Sequence, residues 1–293
     1  MIPYVREIEF EYGRCDQVSP LIRRVIANNP SAFTFVGTGT YIVGRGEVAV
    51  IDPGPDDPAH LAAILAAVAG ERVTQILITH HHSDHSPLAR PLQDATGAPI
   101  IGCAVAHPEA ADESVVRMEA DHDTAFRPDV SVCAGGTISG PGWTLEAIPT
   151  PGHTSNHICY ALQEENCLFS GDHIMGWSTT VITPPDGDMT AYLESLDLIR
   201  ARGFDTLWPT HGPPIREVAA FIDAYRAHRQ ERIDQIVHAL QAGPASIAEL
   251  VPRLYADVDP RLWPAASRSM LAAMIHLERE GRIRNEAGAY ALV

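Results

Sequence analysis

Residues 79 to 85 read THHHSDH and follow directly on the apolar run VTQILI, a probable buried strand. In an extended or looped segment His80 and His82, two residues apart, face the same side, while Asp84 and His85 can turn onto a neighbouring point. Two metal positions are therefore available. A catalytic zinc takes three or four N or O ligands from the protein and keeps a position open, so this cluster supplies at most half of what two ions need. The remaining ligands should stand at the ends of other strands, and three isolated residues do: His153 in PTPGHTSNH, Asp172 in LFSGDHI and His211 in WPTHGPP. Each sits in a Gly or Pro turn that can hold a side chain towards a common centre.

The rest of the chain reads as a frame for those loops. FTFVGTGTYIVGRGEVAVIDPG suggests two strands joined at Gly44 to Gly46 and ending at Asp52, and DDPAHLAAILAAVAG a capped helix stopping at Gly70. After the histidine cluster, SPLARPLQDATG predicts a second capped helix and PIIGCA a short strand. From about residue 130 the pattern changes to the strands WTLEAIPTPG, HICYALQ and CLFSGD, then a helix over 188–201 and the strand TLWPTHG. Two strand-rich halves, each followed by helices, predict an α/β sandwich of two sheets with helices outside, αββα. A long helix from near Pro214, two further helices and a hairpin turning at Asn285 to Gly288 predict a winged-helix-like module. The expected domains are 1–220, catalytic, and 221–293, helical.

Composition narrows the function. The net charge is −16, and every one of the 21 basic residues is Arg. Such a surface repels phosphate backbones at long range, which disfavours non-specific nucleic-acid binding and favours a small or neutral substrate. Between residues 225 and 293 nine Arg face eight Asp or Glu, so the terminal module is near neutral. DNA reading by it is disfavoured against a packing or dimerisation role. A homo-oligomer is left open. The cysteines Cys15, Cys103, Cys133, Cys159 and Cys167 are odd in number, widely spaced and without a CxxC pair, so they read as reduced core residues rather than a disulfide framework. No signal-like apolar core and no 18-residue apolar span is present, which predicts a cytoplasmic protein with no membrane segment.

The ordered pattern HxHxDH, His, Asp, His resembles the metallo-β-lactamase superfamily. The resemblance implies that His80, His82 and His153 hold one divalent metal ion, that Asp84, His85 and His211 hold a second, and that Asp172 bridges them. Zinc is expected, with iron or manganese also compatible. Catalysis would then use a hydroxide bridging the ions, with Asp84 accepting its hydrogen bond and passing a proton to the leaving group. Asp52 matches an early aspartate that orients ligands from behind; the alternative is a turn residue preceding a helix. His81 should point away from the ions. His157 and His173 are read either as ligand-supporting or substrate-facing residues, or as polar loop residues.

Members that hydrolyse β-lactams typically carry cysteine where Asp172 stands, which disfavours that activity. LWPTHGPPI with the long helix and terminal module, and GDHIMGWSTTVI followed by GDMTAYLESL, are similar to a subgroup that contains a single-strand endoribonuclease and fungal acyl-carrier thioesterases. The expected activity is hydrolysis of a small ester, thioester or amide; the alternative is cleavage of single-stranded RNA. A non-enzymatic binding protein is the third reading, disfavoured because no ligand has been lost.

Overall fold

The computed structural model describes residues 2–105 and 122–293. The first sheet is built from β1 (Cys15–Gln17), β2 (Ile22–Ile26), β3 (Gly39–Arg45), β4 (Glu47–Ile51), then α1 (Pro58–Ala67), β5 (Arg72–Leu77), α2 (Ala89–Thr96), β6 (Ile100–Gly102) and β7 (Val130–Ser131). Its strand order is sequential from β1 to β7, antiparallel as far as β4 and parallel from β4 onwards. The parallel part follows from the crossover helices α1 and α2, which a hairpin cannot replace. Asp57 caps α1 by accepting from the Ala59 amide, with Pro58 in the first turn. The helix ends at Ala67, before the predicted Gly70. α2 does stop at Gly97, in the left-handed region at φ 74°, but it starts from Leu88 without a side-chain cap, against expectation.

The second sheet contains β8 (Gly136–Gly140), β9 (Trp143–Pro149), β10 (Ile158–Leu162) and β11 (Cys167–Gly171), followed by α3 (Met189–Arg202) and β12 (Thr206–Pro209), in the order β12-β11-β10-β9-β8. Strand alternation sorts its residues onto two faces. Tyr160, Phe169 and Trp208 face Tyr41, Ile51 and Leu77 of the first sheet, forming the core between the sheets. Cys159, Ala161, Leu168 and Leu207 face outwards against α3 and against α4 (Val218–Leu240). On the far side of the first sheet Ile42, Val48 and Val50 pack under Ile64 of α1 and Leu92 of α2. The four layers are thus αββα.

Beyond α4 come α5 (Ile247–Leu254), α6 (Trp263–Arg279) and the hairpin β13 (Ile283–Glu286) and β14 (Ala289–Leu292). A reciprocal Ser246–Glu249 capping box starts α5. Asn285 accepts from the Gly288 amide across the turn, as the expected hairpin requires. This two-helix-and-wing module shares one apolar core with α3 and α4, in which Met270, Met274, Leu277 and Leu250 join Tyr225 and Ile233.

One cysteine expectation fails. Cys103 and Cys133 form a disulfide across a sequence separation of 30, with 4.7 Å between their Cα atoms. β6 and β7 pair in parallel with Gly102 opposite Ser131, so the residues just beyond them arrive side by side. Cys159 and Cys167 are free and buried, as expected, and Cys15 is free and partly buried.

Candidate metal centre

Every histidine and aspartate singled out from the sequence lies beyond the end of a strand. Asp52 follows β4, residues 79–85 follow β5, Asp172 follows β11 and His211 follows β12. His153 lies between β9 and β10, next to Gly152, whose φ of 140° and closeness to the Tyr192 backbone leave no room for a side chain.

Asp52 is the keystone of these loops. It is fully buried and holds a positive φ of 48°, a costly conformation for a residue with a side chain. Four hydrogen bonds over-determine it. Oδ1 accepts from the Thr79 amide at 2.8 Å, and Oδ2 accepts from Thr79 Oγ1 at 2.8 Å, Thr210 Oγ1 at 2.9 Å and His85 Nδ1 at 3.0 Å. The carboxylate therefore joins the loops after β4, β5 and β12, which a simple turn residue would not do.

The same logic fixes three of the imidazoles. His80 Nδ1 donates to Thr79 Oγ1 at 3.0 Å, His153 Nδ1 to the Val181 carbonyl at 2.7 Å and His211 Nδ1 to the Gly37 carbonyl at 3.3 Å. With Nδ1 held by those acceptors, the three Nε2 atoms point inwards, where a bound cation would take their lone pairs. His80 Nε2 lies 2.9 Å and His153 Nε2 3.2 Å from His82 Nδ1, which makes one trio. Asp84, His85 and His211 make another, with His211 Nε2 3.1 Å and His85 Nε2 3.5 Å from Asp84 Oδ2. Asp172 stands between them: its oxygens are 3.4 Å from His211 Nε2, 3.6 Å from His85 Nε2 and 3.8 Å from His153 Nε2.

The cluster's own charges divide it in two. Burial, reinforced by neighbouring imidazoles, pushes His80 and His82 well below the usual histidine range, so they are neutral and able to ligate. Burial alone would raise Asp84 and Asp172, but His85 and His211 outweigh it and hold both carboxyls well below their ordinary value. Burial likewise pulls His85 and His211 down, and the carboxylates outweigh it, lifting His85 well above its usual value and His211 to about 9. Asp84 Oδ1, Asp172 Oδ1, His85 Nε2 and His211 Nε2 are all buried without a hydrogen-bond partner. Four orphaned polar atoms at one point are expensive unless something satisfies them together, and a divalent cation bound by N and O ligands fits.

The remaining histidines differ in role. His157 accepts from the Asp172 amide at 3.2 Å while donating from Nδ1 to Thr150 Oγ1 at 2.9 Å, so it supports the loop that carries Asp172. His173 is fully buried against Tyr192, neither ring nitrogen has a hydrogen-bond partner, and burial lowers its pKa to about 3. His81 turns away from the cluster towards Asn156 and His122. Thr79 and Thr210 also belong to the site. Their signal was the repeated Thr-His pair at 79–80 and 210–211, since both hydroxyls bind Asp52.

Comparison with known proteins agrees with this geometry. The metallo-beta-lactamase superfamily matches residues 34–211, and a beta-lactamase associated winged helix domain matches residues 246–290. A beta-lactamase-like protein 2 homolog from Caenorhabditis elegans is 30% identical over 279 residues, spanning 92% of this chain and 88% of its own. An atrochrysone carboxyl ACP thioesterase from Aspergillus fumigatus is 30% identical over 290 residues, spanning 91% and 84%. Among solved structures, a beta-lactamase domain protein from Burkholderia ambifaria superposes with a TM-score of 0.81 at 21% identity, over 100% of this chain and 97% of its own. A metallo-beta-lactamase family protein from Thermus thermophilus gives 0.77 at 23% identity, over 94% and 100%. At these identities the structures speak for the fold alone.

Fold and site together define a hydrolase with a His/Asp cluster suited to metal binding. The chain belongs to the metallo-beta-lactamase superfamily and carries that superfamily's associated winged helix. Among the described residues, no helix is long and apolar enough to cross a membrane.

Proposed function

We propose that the protein is a dinuclear metal hydrolase of a small ester, thioester or amide. The observation that carries the reading is the position of Asp172, within 3.4 to 3.8 Å of ligand nitrogens from both trios. His80, His82 and His153 would hold one cation, Asp84, His85 and His211 the other, and Asp172 both. Zinc suits this donor set, and iron or manganese are compatible with it. Bound there, the cations would lower the pKa of a water towards neutrality and polarise the substrate's carbonyl oxygen.

The chain's own residues supply the rest. Asp84 Oδ1, buried and unpaired, is placed to accept a proton from the attacking water and hand it to the leaving group. Asp52 and the Val181 and Gly37 carbonyls keep the imidazoles aimed, so that little reorganisation is needed during reaction. The −16 charge and the absence of lysine favour a small substrate over RNA. The thioesterase name of the Aspergillus relative points to the same class.

The test is turnover of an acyl thioester and of single-stranded RNA by zinc-replete protein, each compared with Asp172→Ala. Thioester hydrolysis that falls on the order of 10⁴-fold in the variant, with RNA untouched, is the expected result. RNA cleavage that depends on Asp172, without thioester turnover, would replace this reading by the nuclease one.

A further inference from the structure

His81 is the one histidine of the motif that turns away from the main cluster, and it turns towards a second group of donors. His81, His122 and Asp186 each offer one ligand atom, and these atoms all lie within 4.8 Å of one another. His122 is exposed, Asp186 is partly buried and His81 is buried. The rings of His82 and His122 are 5.1 Å apart, so this group sits one side chain away from the main centre.

A relay of hydrogen bonds fixes which atoms are free to bind. The Cys103 carbonyl accepts from Asn156 Nδ2 at 2.8 Å, which settles the orientation of that amide. Asn156 Oδ1 then accepts from His81 Nδ1 at 2.8 Å, so the proton is on Nδ1 and Nε2 carries a bare lone pair. This is how ligating histidines are usually prepared: the distal nitrogen donates to a fixed oxygen and the other is presented. His81 Nε2 lies 2.7 Å from His122 Nδ1, and in the absence of a cation the two share one proton. Asp186 uses Oδ1 to accept from the Ser155 amide at 3.2 Å, while its Oδ2 is buried without a partner. Backbone contacts hold the pieces together: the Asp123 amide donates to the His81 carbonyl at 2.7 Å, and His82 bridges His122.

A shared proton satisfies the two rings but leaves Asp186 Oδ2 unpaired. A cation satisfies all three. We infer that His81 Nε2, His122 Nδ1 and Asp186 Oδ2 form an outer binding site for a zinc-class divalent cation, separate from the main cluster. Two imidazoles and a carboxylate are an ordinary zinc donor set, with the fourth position left to water or substrate. Two nitrogens on one tetrahedral zinc stand about 3.3 Å apart, so His122, at the surface, swings outwards by about half an ångström on binding. The His122 proton moves from Nδ1 to Nε2 as it does so, and the ring binds as a neutral imidazole.

The test is zinc stoichiometry of metal-stripped protein after equilibrium dialysis against Zn²⁺, for the wild type, Asp186→Asn and His122→Gln. Each variant is expected to hold one equivalent fewer than the wild type, and the missing equivalent is the last to bind. Equal stoichiometry in all three proteins overturns the site. The readout is a difference between proteins, so a main cluster that holds one ion instead of two changes the totals and leaves the difference intact. Anomalous scattering at the zinc edge from wild-type crystals needs no variant: a peak among His81, His122 and Asp186 supports the site, and bare density there at millimolar Zn²⁺ contradicts it.

Discussion

The His/Asp cluster and the terminal module are both buried, but they are held by different forces. At the centre the buried atoms are mostly nitrogens and oxygens, and a few residues carry most of the order. Asp52 alone accepts four hydrogen bonds from three residues on two other loops. In the module the buried atoms are apolar, and order is spread over α4, α5, α6 and the hairpin, with Met270, Met274 and Leu277 fully covered. Hydrogen bonds specify position sharply and fail when one partner is lost, whereas apolar area stabilises in small increments. Site variants should therefore change chemistry more than stability, and module variants the reverse.

The largest stability effect expected is that of Leu277→Ala, which removes a fully buried side chain from the shared core. It should cost about 2–5 kcal/mol in denaturant unfolding, with turnover per folded molecule unchanged. A fall in turnover at full folding would show that the module reaches the site more strongly than its packing implies. Asp52→Ala strands Thr79, Thr210 and His85 at once. Metal affinity, read by competition with a chelator, should fall about 10–100-fold. An unaltered affinity would reduce Asp52 to a turn residue.

One contact crosses between the two regimes. Tyr225 of α4 donates to the Ser178 carbonyl at 2.8 Å and accepts from the Thr180 amide at 2.7 Å, and Arg229 of α4 donates to the Thr180 carbonyl. Val181, next along, orients His153. Tyr225→Phe leaves the Thr180 amide unpaired and should cost about 1–3 kcal/mol of stability. It should also lower kcat several-fold, which loss of apolar packing alone would not do.

The smallest effect expected is at Asp188, which caps α3 through the Ala191 amide and pairs with Arg279 of α6. Burial would raise its pKa, but Arg279 and the amide outweigh that and hold it below the ordinary carboxyl value. A lowered folded pKa means that the stabilisation is present above the unfolded pKa of about 3.9 and is lost as pH falls through the folded value. Asp188→Asn should therefore unfold more easily than the wild type by about 0.5–1 kcal/mol at pH 6, and the gap should close on acidification below about pH 4.

How much of this was legible in the sequence follows the same division. The seven candidate ligand residues could be found because their chemistry is local, each one a His or Asp in a turn after a strand. The strands β1 and β2 were not anticipated. Adjacent arginines in the middle of β2 hide its alternation, although Arg23 and Arg24 are both buried and Arg23 reaches Glu71 and the Ala67 carbonyl. The Cys103–Cys133 bond was invisible because it depends on which strands become parallel neighbours, a tertiary fact. For the same reason the sequence alone leaves two readings open for His157: its partner is the backbone of Asp172, fifteen residues away. His173 gained no ligand-supporting hydrogen bond, and its buried ring packs on Tyr192.

The central claim is that one carboxylate, Asp172, joins two cation positions. Electron paramagnetic resonance of metal-stripped protein loaded with two equivalents of Mn²⁺ tests it directly, because ions bridged by a carboxylate couple magnetically. The wild type should give a spin-coupled spectrum, and Asp172→Ala the signal of isolated ions at reduced occupancy. An uncoupled spectrum from fully loaded wild type would contradict the shared-carboxylate centre.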